Sequence, residues 1–107
     1  MALAGTPKRW AVNSYTNSTW TDLVPNGNAG VVRTILVVNT DLVNAITCAI
    51  RLTDNTPTEL AQILAQQSIA AGESVRLDLD LIGLESTDHI QFNADAAGLN
   101  FVASGAV

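Results

Sequence analysis

Cysteine, histidine and positive charge are nearly missing from this sequence. The single Cys48 excludes an internal disulfide and, set mid-strand among apolar residues, reads as a small core hydrophobe. Nucleophilic catalysis needs a base beside a nucleophile, and His89 is the only imidazole on offer. The bases are one lysine and four scattered arginines against ten acids, for a formal charge of -5. Neutralising phosphates takes clustered Lys and Arg, so nucleic acid is not an expected partner. Charged residues of both signs reach only 14%, which suggests that part of the surface is covered by something else. Long apolar runs are missing too. No stretch approaches the ~20 apolar residues of a membrane span, and the opening MALAGTPKRW lacks an apolar run of signal-peptide length. The expectation is a protein made and assembled in a cytosol, with no membrane partner.

What is there is apolar and β-patterned. At 107 residues and 48% apolar, the chain has room for one core, which buries roughly 65% of the surface that the unfolded chain exposes. Residues 1–8 read as an N-terminal arm and 9–107 as a single β-sandwich domain. Arg9 to Tyr15 has the mixed alternation of an edge strand, and Trp20 to Val24 is a short strand closed by the turn formers Pro25-Asn26-Gly27-Asn28. In Val31 to Asn39, one face carries Val31, Arg33, Ile35 and Val37, and the other Val32, Thr34, Leu36 and Val38. A strand apolar on both faces needs a second cover, a neighbouring subunit or the arm. Ala45 to Thr53 alternates strictly, with Ile46, Cys48, Ile50 and Leu52 inward.

The segment ELAQILAQQ is ambiguous. Thr56-Pro57-Thr58-Glu59 satisfies a capping box, and Leu60, Ile63 and Leu64 follow at helical spacing. The flanking elements demand a sheet partner, which favours a strand over residues 59–67. After the turn Ala70-Ala71-Gly72-Glu73, Val75 to Leu81 alternates, Gly83 to Asp88 reads as a loop, and His89 to Asp95 and Leu99 to Ala103 supply the last strands. The fold class is all-β, an antiparallel β-sandwich, jelly-roll-like, of seven or eight short strands.

Chemistry is hard to find. His89 alternates with Gln91 and Asn93 on a polar strand face and reads as a solvated residue. Asp78 and Asp80 share a face as two Ca²⁺ ligands would, but Arg76 beside them supplies a charge partner instead. There is no Gly-rich phosphate loop and no Cys/His metal spacing. The expectation is no enzyme, no catalytic, cofactor-binding or metal-ligating residue, and no cofactor. Trp10, Tyr15 and Trp20 cluster within a short span; they either close one end of the core or anchor a partner. Leu42 and Val43, apolar in a polar connection, are contact candidates unless they pack over the end of the sandwich. The candidate partner-contact set is Lys8, Arg9, Trp10, Tyr15, Trp20, Val31, Ile35, Val37, Leu42 and Val43.

The order of features resembles small β-sandwich structural proteins from the virions of tailed bacteriophages. The resemblance rests on Tyr15-Thr16, VVRTILVVNT with its strand-ending Asn39, a strand ending Arg51-Leu52, AAGES, VRLDLDL, TDHIQFNAD and the closing LNFVASGAV. It covers roughly residues 10–107 and departs from the family in ELAQILAQQ. It implies a virion protein assembled in the bacterial host cytoplasm, foremost a capsid decoration (cement) protein that stabilises the shell by protein–protein contacts. The implied partners are the major capsid protein or other virion proteins, with the chain as a homo-oligomer. The alternative is a neck, tail or fibre attachment component, or a receptor- or glycan-binding module.

Overall fold

The computed structural model describes residues 6–12, 19–56 and 58–107, apart from the side chains of 80 and 81. Among them run eight strands: β1 (Pro7–Val12), β2 (Thr21–Val24), β3 (Gly30–Asn39), β4 (Ile46–Thr53), β5 (Glu59–Ile69), β6 (Ser74–Leu84), β7 (His89–Ala94) and β8 (Leu99–Ala106). Four antiparallel pairs nest inside one another: β4 with β5, β3 with β6, β2 with β7, and β1 with β8. Two further pairings, β3 with β8 and β4 with β7, join them into sheets of order β1-β8-β3-β6 and β2-β7-β4-β5. One long hairpin wrapped on itself in this way is an eight-stranded jelly roll. The antiparallel β-sandwich expected from the alternating strands is what the chain forms.

The inner faces meet at Phe92 of β7 and Phe101 of β8, both fully buried, whose rings stack with centroids 4.0 Å apart and planes 28° off parallel. Ile46, Cys48 and Ile50 of β4 line the same core, and Leu52 packs against it, as their alternation requires. Cys48 is 1% exposed.

Elsewhere the alternation is interrupted. In β3, Val32 pairs with Gly105 and Thr34 with Ser104, so Arg33 is an extra residue bulged out of the ladder. The bulge inverts every later position: Val32, Ile35, Val37 and Asn39 face the core, while Thr34, Leu36 and Val38 face out. In β2 the same device at Leu23 turns two consecutive residues, Leu23 and Val24, inward. In β6, Val75, Leu77 and Leu79 pack inward before the irregularity opposite Arg33, and Ile82 and Leu84 after it. That strand therefore runs on to Leu84, through the start of what the sequence presents as a loop.

β5 carries the most irregularity. Its pairing with β4 shifts at Ala65–Gln66, at Ile63 and at Leu60, each shift adding one residue on the β5 side. The helical spacing of Leu60, Ile63 and Leu64 is the trace of these bulges, because each insertion resets the period of two. The segment is a strand. It is also an edge, and bulges there keep another chain from adding to the sheet.

At the N-terminal side, Pro7 and Lys8 pair with Ala106 and Gly105, and Thr6 exchanges backbone hydrogen bonds of 2.7 and 3.0 Å with Val107. The edge strand thus begins two residues before the boundary placed at residue 9. Residues 1–5 of the expected arm lie outside the described residues, as do residues 13–18.

The β3 bulge brings two backbones into close approach. A Cβ on Gly105 would land on the carbonyl oxygen of Val31, and one on Gly30 on that of Ala106, whereas a Cβ on Gly83 meets nothing. Gly105→Ala is therefore expected to destabilise by about 3 kcal/mol or more, and Gly83→Ala to change stability by less than about 1 kcal/mol. Urea denaturation of the two variants checks this, and equal midpoints would contradict the close approach.

Candidate functional site

The residues picked out from the sequence scatter over three surfaces. Lys8 and Arg9 are exposed on edge strand β1. Trp10, by contrast, points inward and is only 7% exposed, so it closes the core and is not available as an anchor. Tyr15 lies outside the described residues. Ile35 and Val37 are fully buried and offer nothing to a partner, because the Arg33 bulge turns them inward. The outward apolar residues of β3 are Leu36 and Val38, beside half-buried Val31. Both are half-buried, with Val102 and Arg76 across from Leu36 and Asn100 and Ser74 across from Val38.

Leu42 and Val43 behave differently. They sit in the β3–β4 loop and are 82% and 83% exposed, the most exposed large apolar side chains of the described residues. The loop that carries them is held from below by Asn39, itself 1% exposed. Its Nδ2 donates to the carbonyls of Asn44 (2.9 Å), Ile69 (3.0 Å) and Ala70 (3.3 Å), and its Oδ1 accepts from Asp41 N (2.9 Å). One buried amide thus ties the β3–β4 loop to the β5–β6 turn. Thr40 N donates to Gly98 O and Gly72 N to Asp41 O, which adds the β7–β8 turn to the same cluster. Asp41 Oδ1 accepts from Val43 N (2.8 Å) and Asn44 N (3.0 Å). The Val43 N–H, then the Asn44 backbone and side chain, hold the Asp41 carboxyl below its ordinary value. The clasp is in place at neutral pH and is lost only as pH falls through that lowered value.

The third surface is the outer face of β2, β7 and β4. Asp22, Gln91 and Arg51 stand on one rung across the three strands. Arg51 donates through Nε (3.1 Å) and Nη2 (2.8 Å) to Gln91 Oε1, and Gln91 Nε2 donates to Asp22 Oδ1 (3.0 Å). His89 Nδ1 lies 3.1 Å from the same Asp22 oxygen, so His89 is a partnered residue and not a solvated one. The Trp20 ring covers the other end, its centroid 4.0 Å from the Arg51 guanidinium carbon. The signal was in the sequence, as polar residues two apart on β7, but their partners on β2 and β4 emerge only from the strand order.

The remaining candidates are structural. Asp88 is buried and accepts from Glu85 N (2.9 Å), capping the β6–β7 turn. Arg76 and Asp78 pair at 2.9 Å with side chains 67% and 73% exposed, an arrangement worth little in water. Among the described residues, no three His, Cys, Asp or Glu side chains group as a metal site.

No family model and no curated protein matches the chain. Similar solved structures include a pentameric capsid protein isolated from metagenomic phage sequences, at 19% identity and TM-score 0.48, covering 94% of this chain and 62% of that one. The SPBc2 prophage-derived protein YomS is 10% identical at TM-score 0.49, covering 100% and 98%. The C-terminal family 22 carbohydrate binding module of Clostridium thermocellum Xyn10B is 16% identical at TM-score 0.47, covering 77% and 57%. The chain spans only 59% and 62% of the chains in two solved structures of such a pentameric phage capsid protein. At such identities the likeness is one of fold alone.

Two outcomes follow from the buried groups. Asn39→Ala leaves three carbonyls without their donor and is expected to cost about 2–3 kcal/mol by thermal or urea unfolding; a loss below about 0.5 kcal/mol would contradict its role as the tie between loops. Burial, with the charge of Asp95 adding to it, pushes the Cys48 thiol up to about 11. A thiol reagent at pH 8 should label the native protein at least ~100-fold more slowly than the urea-unfolded chain, since the thiolate is the reactive form.

Proposed function

We propose that this chain is a virion structural protein, and within that class a capsid decoration protein of a tailed phage. It acts by protein–protein contact with the major capsid protein or other virion proteins, as a homo-oligomer in the particle. The observation that carries the reading is the tip of the β3–β4 loop. Leu42 and Val43 stand out in solvent on a loop already immobilised by Asn39 and Asp41. Two apolar side chains that cost little further ordering on contact have the properties of an interface anchor. A jelly roll also fits this role by analogy of fold, since the architecture recurs in viral capsid domains, but it recurs equally in lectins. The loop tip favours an assembly protein over a catalyst, and the proposed reading is non-enzymatic.

Burying a Leu and a Val is worth about 1.5–3 kcal/mol each. Leu42→Asp/Val43→Asp is therefore expected to lower occupancy on purified particles at least ~10-fold while leaving the unfolding midpoint nearly unchanged. Undiminished occupancy would remove the tip from the interface. Gel densitometry of intact particles then separates roles: hundreds of copies support decoration, a handful support a neck or tail component, and absence from the particle overturns the reading.

A further inference from the structure

The outer face of the β2-β7-β4-β5 sheet holds two clefts that share one wall. The larger, about 210 Å³, is lined by Thr47, Gln66, Asn93, Ala94 and Asp95. The smaller, about 60 Å³, lies against Trp20, Glu59, Gln62 and Gln66 and the apolar Ala49, Ile50, Leu64 and Ala65. Gln66 borders both, so the two clefts adjoin at that residue. The two make a trough that runs from Asp95 beside the β7–β8 turn to Trp20 and Glu59.

The shared wall is also the one place where a residue other than glycine has positive φ among the described residues: Gln66, at +34°. It stands at the first β5 bulge, between the Cys48–Gln67 and Ile50–Leu64 pairs. A left-handed backbone at such a residue costs about 1–3 kcal/mol and persists only where the surroundings hold it. The effect here is to place an amide over the trough.

The chemistry of the lining is specific. The amides of Gln62, Gln66 and Asn93 make no side-chain hydrogen bond among the described residues, so donors and acceptors are open. Asp95 uses Oδ1 to accept from Thr47 N (3.0 Å), and its second oxygen is left over. Trp20 supplies a flat apolar ring. Among the described residues no Lys, Arg or His lines either cleft, and the Arg51 guanidinium beside Trp20 is held by Gln91. Glu59 and Asp95 add negative charge along the trough.

We propose that this trough binds a neutral oligosaccharide. Sugar hydroxyls both donate and accept, as amides and carboxylates require, and the apolar face of a pyranose ring stacks on an indole. Phosphate, sulfate and uronate groups meet carboxylates with no cation in the lining to offset them. A folded protein partner would want more apolar area than Trp20 and its neighbours supply. The site is independent of the loop tip and of the virion reading.

The test is affinity electrophoresis of the purified chain through gels containing dextran, galactomannan, xylan or mixed-linkage β-glucan, with alginate as the anionic control. Retardation is expected on at least one neutral polymer and not on alginate. Asn93→Ala and Gln66→Gly, both at partly exposed positions, should weaken that binding at least fivefold with the unfolding midpoint held or raised, and Trp20→Ala should weaken it more. No retardation on any neutral gel, equal retardation on alginate, or undiminished binding by both amide variants would overturn the proposal. None of these outcomes touches particle occupancy, so this site and the virion role stand or fall separately.

Discussion

A β-strand alternates its side chains with a period of two, so a single inserted residue sends everything beyond it to the opposite face. The architecture of this jelly roll depends on where such insertions fall. Arg33 in β3, Leu23 in β2, the stretch of β6 opposite Arg33 and three positions of β5 each reset the pattern. The consequences reach the core directly. Ile35 and Val37 join the core cluster that holds the Phe92–Phe101 stack, and Leu36 and Val38 take the outer face. Without the Arg33 bulge, the first half of β3 would bury the wrong set of side chains.

The bulges also separate the surfaces. The outer face of β1-β8-β3-β6 carries exposed Arg9, Arg33 and Arg76, with Leu36, Val38 and Val102 sunk between their neighbours. The opposite sheet presents a polar rung and a trough, and Gln66 stands over that trough because β5 has an extra residue there. The end of the sandwich presents two apolar side chains and the acids Asp41, Glu73 and Asp95. Asn39 connects this end to the rest: its buried amide joins the β3–β4 loop to the β5–β6 turn, 30 residues further along the chain. A polar group this deep is stabilising only when its bonds are made, and here both ends of the amide are satisfied.

The fold class was legible because strict alternation survives in β4, in the first half of β6, in β7 and in β8. There the inward residues Ile46, Cys48, Ile50, Ile90, Phe92, Leu99 and Phe101 stand where a period of two puts them. Of the contact candidates, Leu42 and Val43 were legible as apolar residues out of place in a polar connection. Trp10, Ile35 and Val37 were not, since residue type cannot distinguish a core side chain from an interface one. That distinction depends on which face a strand turns inward.

The sequence by itself determined an all-β fold, poor in bases, with a free cysteine inside and one histidine. Those properties follow from composition and local periodicity, which need no partner strand. Only the tertiary structure decided that 59–69 is a strand, which face of β3 meets the core, and that Asp22, Gln91, Arg51 and Trp20 form one array. Each of these rests on register between segments far apart in the chain. Register is set by the whole sheet at once, through backbone hydrogen bonds that no local pattern encodes.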